Sequence, residues 1–322
     1  MERAKRRNRT LKSVLKIGLS LSLLVFVLRQ VGWEEAWESL RAAQLPYLGA
    51  ALLLHLVGIP VRAYRWRILL TALEINIPLS QLTRLYFVGS FFNTFLPTGV
   101  GGDMVRIYEL GRQSRQPAAA VGTVLVDRAT GILMLFLMAL AALPFGYRLI
   151  SPQTTWLIMC LFVAGWGGLW LILRRDWLEK WGLLQILSKV KQVEEVYEAV
   201  HACGVKAISG ALAASLALNL LLIAANYFVG LSLRVHIPVW YYLLFVPIIS
   251  SLLALPISLS GVGVREGGYI YLFGQAGVAP PQALTMSLLI YAMNLAMGCV
   301  GAVLYIVEGA RGLRAPHRKA PE

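Results

Sequence analysis

The chain has 322 residues, 58% of them hydrophobic and only 14% charged, and its 30 Lys and Arg against 16 Asp and Glu give a formal charge of +14. A mean hydropathy of +0.66 excludes an ordinary soluble domain and fits a polytopic helical membrane protein. The basic residues lie between apolar stretches rather than in one patch, so orientation in a bilayer accounts for them and a nucleic-acid partner is set aside.

Residues 1–10 are a basic N-terminus carrying Arg3, Lys5, Arg6, Arg7 and Arg9. The apolar run Leu11–Val31 follows. It is longer than the core of a signal peptide and has no small-residue cleavage site, so it reads as an uncleaved span. Further runs at Pro46–Trp66, Ala118–Leu143, Thr155–Leu173, Ala207–Leu231 and Ala283–Val307 are each long enough for one crossing at 1.5 Å per residue. Two more regions, Leu85–Val105 and Val239–Gly277, are apolar but interrupted.

The charges between these runs predict the topology. The N-terminal cluster places the start in the cytoplasm, and Glu34, Glu35 and Glu38 place the next loop outside. Arg62, Arg65, Arg67 and Arg84 return the chain to the inside, and Arg112 and Arg115 also require the inside. The interrupted stretch between those two groups therefore enters and leaves on one face, as a re-entrant hairpin. Arg174, Arg175, Lys180, Lys189, Lys191 and Lys206 hold the central loop inside, and so does the basic tail 308–322. The second interrupted stretch must then begin and end outside. About six full spans plus two re-entrant or broken hairpins result, arranged as an inverted-topology repeat with halves near 46–143 and 207–307 within one transmembrane domain, 11–307. Between the halves, apolar residues recur every three to four positions over 177–203. They predict an amphipathic helix, lying on the cytoplasmic leaflet or packed on protein.

Both interrupted regions contain one short phrase. Leu96-Pro97-Thr98-Gly99-Val100-Gly101-Gly102-Asp103 runs on to Arg106, and Leu255-Pro256 leads through Gly261-Val262-Gly263-Val264 to Arg265 and Glu266. Proline and glycine stop a helix, and charge is costly in hydrocarbon, so two such breaks at corresponding places point to a transporter-like site near the midplane. Asp127 and Arg128 add charge about 14 Å into the third full span. Neighbours in sequence point about 100° apart on a helix, so these two should find partners on different elements.

Asp103, Asp127 and Glu266 balance Arg106, Arg128 and Arg265. One reading makes these six a set of interhelical ion pairs. The other keeps arginines available for a substrate anion, since a guanidinium is permanently charged and grips phosphate through two parallel hydrogen bonds. Backbone N–H groups at Gly99, Gly101, Gly261 and Gly263, near half-helix N-termini, would add positive potential. Asn93, Asn219, Asn226 and Asn294 lie in apolar segments and read first as interhelical hydrogen bonds, with Asn93 a candidate contact to substrate. Gly298 and Ala302 form a small-xxx-small pair for close helix packing. Cys160, Cys203 and Cys299 are scattered and the four histidines isolated, so no disulfide framework, metal site or cofactor is expected. No nucleotide-binding or nucleophile-elbow motif occurs, and no catalytic residue is assigned.

The series Asn93 to Arg106, then Asp127-Arg128, then Pro256 to Glu266 resembles the transmembrane domain of the lysylphosphatidylglycerol synthase/flippase family over about Leu11 to Val307. That resemblance implies a helical bundle that moves a phospholipid or related lipid between leaflets. Members that make the aminoacylated lipid carry a soluble transferase domain after the membrane part, so the resemblance implies a stand-alone membrane domain without synthase activity. The expected partners are an anionic phospholipid or polyprenyl-phosphate-type lipid, the bilayer of the plasma (inner) membrane, and a second copy of the chain or a lipid-modifying enzyme. Both termini are expected in the cytoplasm. The alternative is a membrane transferase, with Asp103, Asp127 or Glu266 as base, or an accessory subunit acting on a lipid-linked substrate.

Overall fold

The computed structural model describes residues 33–95, 100–146, 152–174, 191–254 and 261–312. The predicted first span Leu11–Val31, the Leu96–Gly99 and Leu255–Ser260 parts of the two repeated phrases, and most of the tail lie outside them. The protein is all-α, with eleven helices among the described residues. In chain order these are α1 (Trp33–Arg41), α2 (Leu45–Ala72), α3 (Leu79–Phe95), α4 (Gly101–Ser114), α5 (Pro117–Gly146), α6 (Pro152–Leu173), α7 (Lys191–Ala202), α8 (Gly204–Ser232), α9 (Val239–Ala254), α10 (Val264–Gln275) and α11 (Pro280–Gly312).

Among the described residues, four helices are long and apolar enough to cross a membrane: Leu45–Ala72, Pro117–Phe145, Gly204–Ser232 and Pro280–Val307. They match four of the predicted runs. The run predicted at Thr155–Leu173 lies in α6. The outward surface is apolar, with Leu53, Val163, Val303 and Ile306 all more than half exposed, whereas Arg65, Arg106, Asp127, Arg265 and Glu266 are buried. This arrangement is unfavourable in water and suits hydrocarbon, where side chains such as Leu cost nothing outside and charges must be paired inside.

The sequence α2–α3–break–α4–α5 has a counterpart in α8–α9–break–α10–α11. Both long first helices end in the same turn. Leu73, Glu74 and Ile75 donate to the carbonyls of Leu70, Thr71 and Leu70, while Leu233, Arg234 and Val235 donate to Gly230, Leu231 and Gly230. The middle residues, Glu74 and Arg234, share a left-handed backbone at φ 60° and 57°. Pro78 and Pro238 then stand just ahead of α3 and α9.

The most extensive pairing joins α2 to α8 in antiparallel fashion, with Gly58 against Leu218 and Arg65 against Ser215. Around this pair α3 packs on α11 and α9 on α5. A Cβ on Gly301 would run into the Phe87 carbonyl and one on Gly298 would lie 3.2 Å from Thr94 Oγ1, so small residues let α11 approach α3 closely. The predicted amphipathic segment is represented by α7. Its Ala199 packs against Gly122 of α5, and the part before Lys191 lies outside the described residues.

Candidate functional site

Each helix break ends in a helix whose third residue is acidic: Asp103 in α4 and Glu266 in α10. A carboxylate in the first turn faces the positive end of the helix dipole. Around these two acids the buried charged residues are gathered into two clusters.

The first cluster draws on five helices. Asp127 of α5 accepts from Arg65 Nε of α2 at 2.7 Å, from Arg106 Nη2 of α4 at 2.9 Å and from the Tyr86 hydroxyl of α3 at 2.5 Å. Arg65 also donates to Ser215 Oγ on α8 at 3.0 Å. Arg106 donates to Asp103 at 3.2 Å and lies over the faces of Trp66 and Tyr86, 4.2 and 4.0 Å from the ring centroids. A guanidinium between two aromatic faces gains cation–π attraction and is shielded from lipid. Arg128 pairs with Asp103, and its side chain remains 40% exposed. Adjacent Asp127 and Arg128 thus reach different partners, as their angular offset on a helix requires.

The second cluster is smaller and lies between α10 and α11. Gly261 and Gly263 have φ of 80° and 84°, a region open to glycine and strained for residues with a Cβ. They turn the chain into α10, where the Glu266 carboxylate reaches back to the Gly263 N–H at 2.6 Å, the acidic half of a capping box. Its other oxygen accepts from Arg265 Nη2 at 2.5 Å. Arg265 Nε donates to Ser287 Oγ at 3.1 Å, and the guanidinium lies 4.4 Å from the Tyr291 ring centroid.

These contacts define which predicted groups remain accessible. Gly99 lies outside the described residues, and Gly101 opens α4 in a buried position. The Gly102 N–H is taken by Asn93 Oδ1 at 2.8 Å, and the Gly263 N–H by Glu266, so neither is left for an external anion. Arg106 and Arg265 are buried in ion pairs. Among the arginines named from the motifs, Arg128 is the exposed one.

Standing at the end of an apolar run, Arg65 has the sequence signature of a charge at the membrane surface. The structure instead buries it as the nearest partner of Asp127. Its spacing of seven from Gly58, on the packed face of α2, is the signal that identifies it. Tyr86, Trp66, Ser287 and Tyr291 had no comparable signal.

A row of largely polar positions on α11 and α2 runs between the clusters. Ser287, Tyr291 and Asn294 are spaced four and three apart on one face of α11. Asn294 Oδ1 meets His55 Nε2 of α2 at 3.2 Å. On α2, His55, Gly58, Arg62 and Arg65 follow at intervals of three and four, leading back to Asp127. Elsewhere, Asn226 Oδ1 accepts from the Tyr269 hydroxyl across α8 and α10. Cys203, ahead of α8, has its thiol pushed up to about 11 by burial, which keeps it protonated and unreactive.

The family model for the transmembrane region of lysylphosphatidylglycerol synthase matches residues 13–301. A UPF0104 membrane protein of Methanothermobacter thermautotrophicus is 26% identical over 155 residues, covering 48% of this chain and 46% of that protein. A UPF0104 membrane protein of Pyrococcus horikoshii is 23% identical over 126 residues, 38% of each chain. The matched segment thus spans less than half the length of these curated relatives. No solved structure matches. With its apolar helices and a family match over most of its length, the chain is a multi-pass membrane protein belonging to the lysylphosphatidylglycerol synthase transmembrane-region family.

Proposed function

We propose that this protein is a lipid translocase that carries the headgroup of an anionic phospholipid or polyprenyl-phosphate-type lipid between leaflets while the chains stay in the bilayer. The observation that carries this reading is the row of charged and polar residues, buried in the two clusters and part-buried between them, that runs from one helix break toward the other through an otherwise apolar bundle. A phosphate cannot cross hydrocarbon unpaired, and a track of donors lowers that barrier by replacing water around the charge. The family is lipid-related, which agrees.

The corresponding element order, the matched turns and the exchange of packing partners around the antiparallel α2–α8 pair support an inverted repeat, with each break belonging to a re-entrant hairpin. In this reading residues 11–307 form one domain of the inner membrane with both termini cytoplasmic. Asn93, Gly99, Gly101, Asp103, Arg106, Asp127, Arg128, Gly261, Gly263, Arg265 and Glu266 frame the path. Arg106 and Arg265 fix its walls, and Arg128 offers its charge at one mouth.

The test is headgroup accessibility in proteoliposomes containing purified protein and headgroup-labelled phosphatidylglycerol. Protein-dependent exposure of inner-leaflet lipid is expected, reduced at least tenfold by Arg128→Gln, on the scale of a charge-assisted hydrogen bond. Arg265→Ala is unsuitable as a control, because it would strand Glu266 in the interior. Rates equal to those of empty liposomes, with the protein folded, would overturn the reading.

A further inference from the structure

The charge balance of the first cluster changes once the neighbouring helix faces are included. Four arginines, Arg62, Arg65, Arg106 and Arg128, surround two carboxylates, Asp103 and Asp127. Three of the four arginines are ion-paired. Arg62 is the exception: it lies in electrostatic range of Arg65, Tyr86, Asp127 and Arg106, and it makes no hydrogen bond or ion pair among the described residues. It is partly buried within a membrane-spanning helix, where a cation without a partner is expensive.

The position of Arg62 follows from its neighbours. Gly58 and Arg65 lie on the face of α2 that meets α8, against Leu218 and Ser215, and Arg62 falls between them on the same stripe. It is about 6 Å along the axis from Gly58. On α8, Ser215, Leu218 and Asn219 share the opposing face at spacings of three and four. Asn219 is 6% exposed, and its Nδ2 has no hydrogen-bond partner among the described residues. The α2–α8 interface therefore holds one uncompensated guanidinium and one buried amide donor without an acceptor, beside the His55–Asn294 bridge that leads toward the second cluster. Both orphan groups are donors, and what they lack is an anionic acceptor.

We propose that Arg62 and Asn219 form an interior binding site for a phosphate group at the α2–α8 interface, beside the first cluster. The site supplies a fork of N–H donors and one amide N–H to the phosphate oxygens. The motif arginines Arg106 and Arg265 remain in their ion pairs and build the walls. The assignment of this phosphate to a lipid headgroup rests on the translocase reading above, whereas the anion site itself rests on the two orphan donors.

Binding of radiolabelled dioctanoyl phosphatidylglycerol to the purified full-length protein in detergent tests it, with unlabelled dioctanoyl glycerol and inorganic phosphate as competitors. Arg62→Gln should weaken phosphatidylglycerol binding at least tenfold, the scale of losing a charge-assisted fork. Arg62→Lys should fall between, because it keeps the charge and loses the fork. Arg67→Gln, an exposed arginine on the same helix, should bind like wild type. Removing an unpaired interior cation should leave the unfolding temperature unchanged or raise it. Dioctanoyl glycerol, which lacks phosphate, should not compete. Competition by inorganic phosphate at concentrations comparable to the lipid would assign the site to a free anion, supporting the site and removing support from the lipid reading. Equal binding by wild type and Arg62→Gln would overturn this inference and leave the translocase reading standing. No binding of either probe by wild type would overturn both.

Discussion

The two helix breaks are followed by helices that begin alike, and they carry different charge. Each places an acid at the third position of the helix that follows, and each holds an arginine against an aromatic ring. At the second break one arginine meets one glutamate, and a serine on α11 completes the set. At the first break two aspartates serve three arginines from three helices, with Arg62 in excess nearby. The second cluster has the character of a closed structural lock. The first has positive charge that no acid among the described residues neutralises, the expected property of the half that receives an anion. Corresponding places in two similar blocks need not share a role.

The largest expected effect tests how many elements each cluster holds. Asp127→Asn leaves two buried guanidiniums short of a counterion and weakens the Tyr86 contact, so it should destabilise by about 3–5 kcal/mol in thermal or denaturant unfolding in detergent. Glu266→Gln deprives one arginine of its anion while an amide oxygen can still accept from it, and should cost about 2–3 kcal/mol. The reverse order would contradict the view that the first cluster ties more of the bundle together.

Glycine substitutions give smaller effects of opposite sign. A Cβ at Gly102 would collide with the Gly89 carbonyl and sit 2.7 Å from Asn93 Nδ2, so Gly102→Ala should lower stability by about 1–3 kcal/mol. Gly267, in the first turns of α10, has nothing within 4 Å of an added Cβ, and Gly267→Ala should raise stability by about 0.5–1 kcal/mol through helix propensity. The smallest change in stability belongs to Arg128→Gln. Its side chain is 40% exposed and Asp103 keeps Arg106, so the loss should stay within about 1 kcal/mol while transport falls.

Much of this contrast was legible in the sequence because the physics is local. Pro and Gly-Val-Gly interrupt apolar runs in ways that a continuous helix does not tolerate, and the break at Gly261 and Gly263 has the positive φ values that call for glycine. Asp127 and Arg128 announced themselves as adjacent charges deep in an apolar run. Arg62 and Arg65 did not, because a basic residue near the end of such a run also reads as a surface anchor. Only the pairing of α2 with α8 turns that stretch of α2 inward. Tyr86, Trp66 and Ser215 were silent for a related reason. An aromatic or a serine in a membrane helix is ordinary, and each gains its role only from the guanidinium that tertiary packing brings to it. The six motif charges balance, and the excess comes from Arg62 and Arg65 of α2.

The most direct measurement of whether anionic lipid enters the bundle is crosslinking with a photoreactive phosphatidylglycerol in membranes, with the adducts mapped by mass spectrometry. The account predicts headgroup adducts on the interior faces of α2, α8 and α11, around His55, Arg62, Asn219 and Asn294, competed by unlabelled phosphatidylglycerol. Headgroup adducts confined to outward residues such as Leu53, Val163 and Val303 would contradict it.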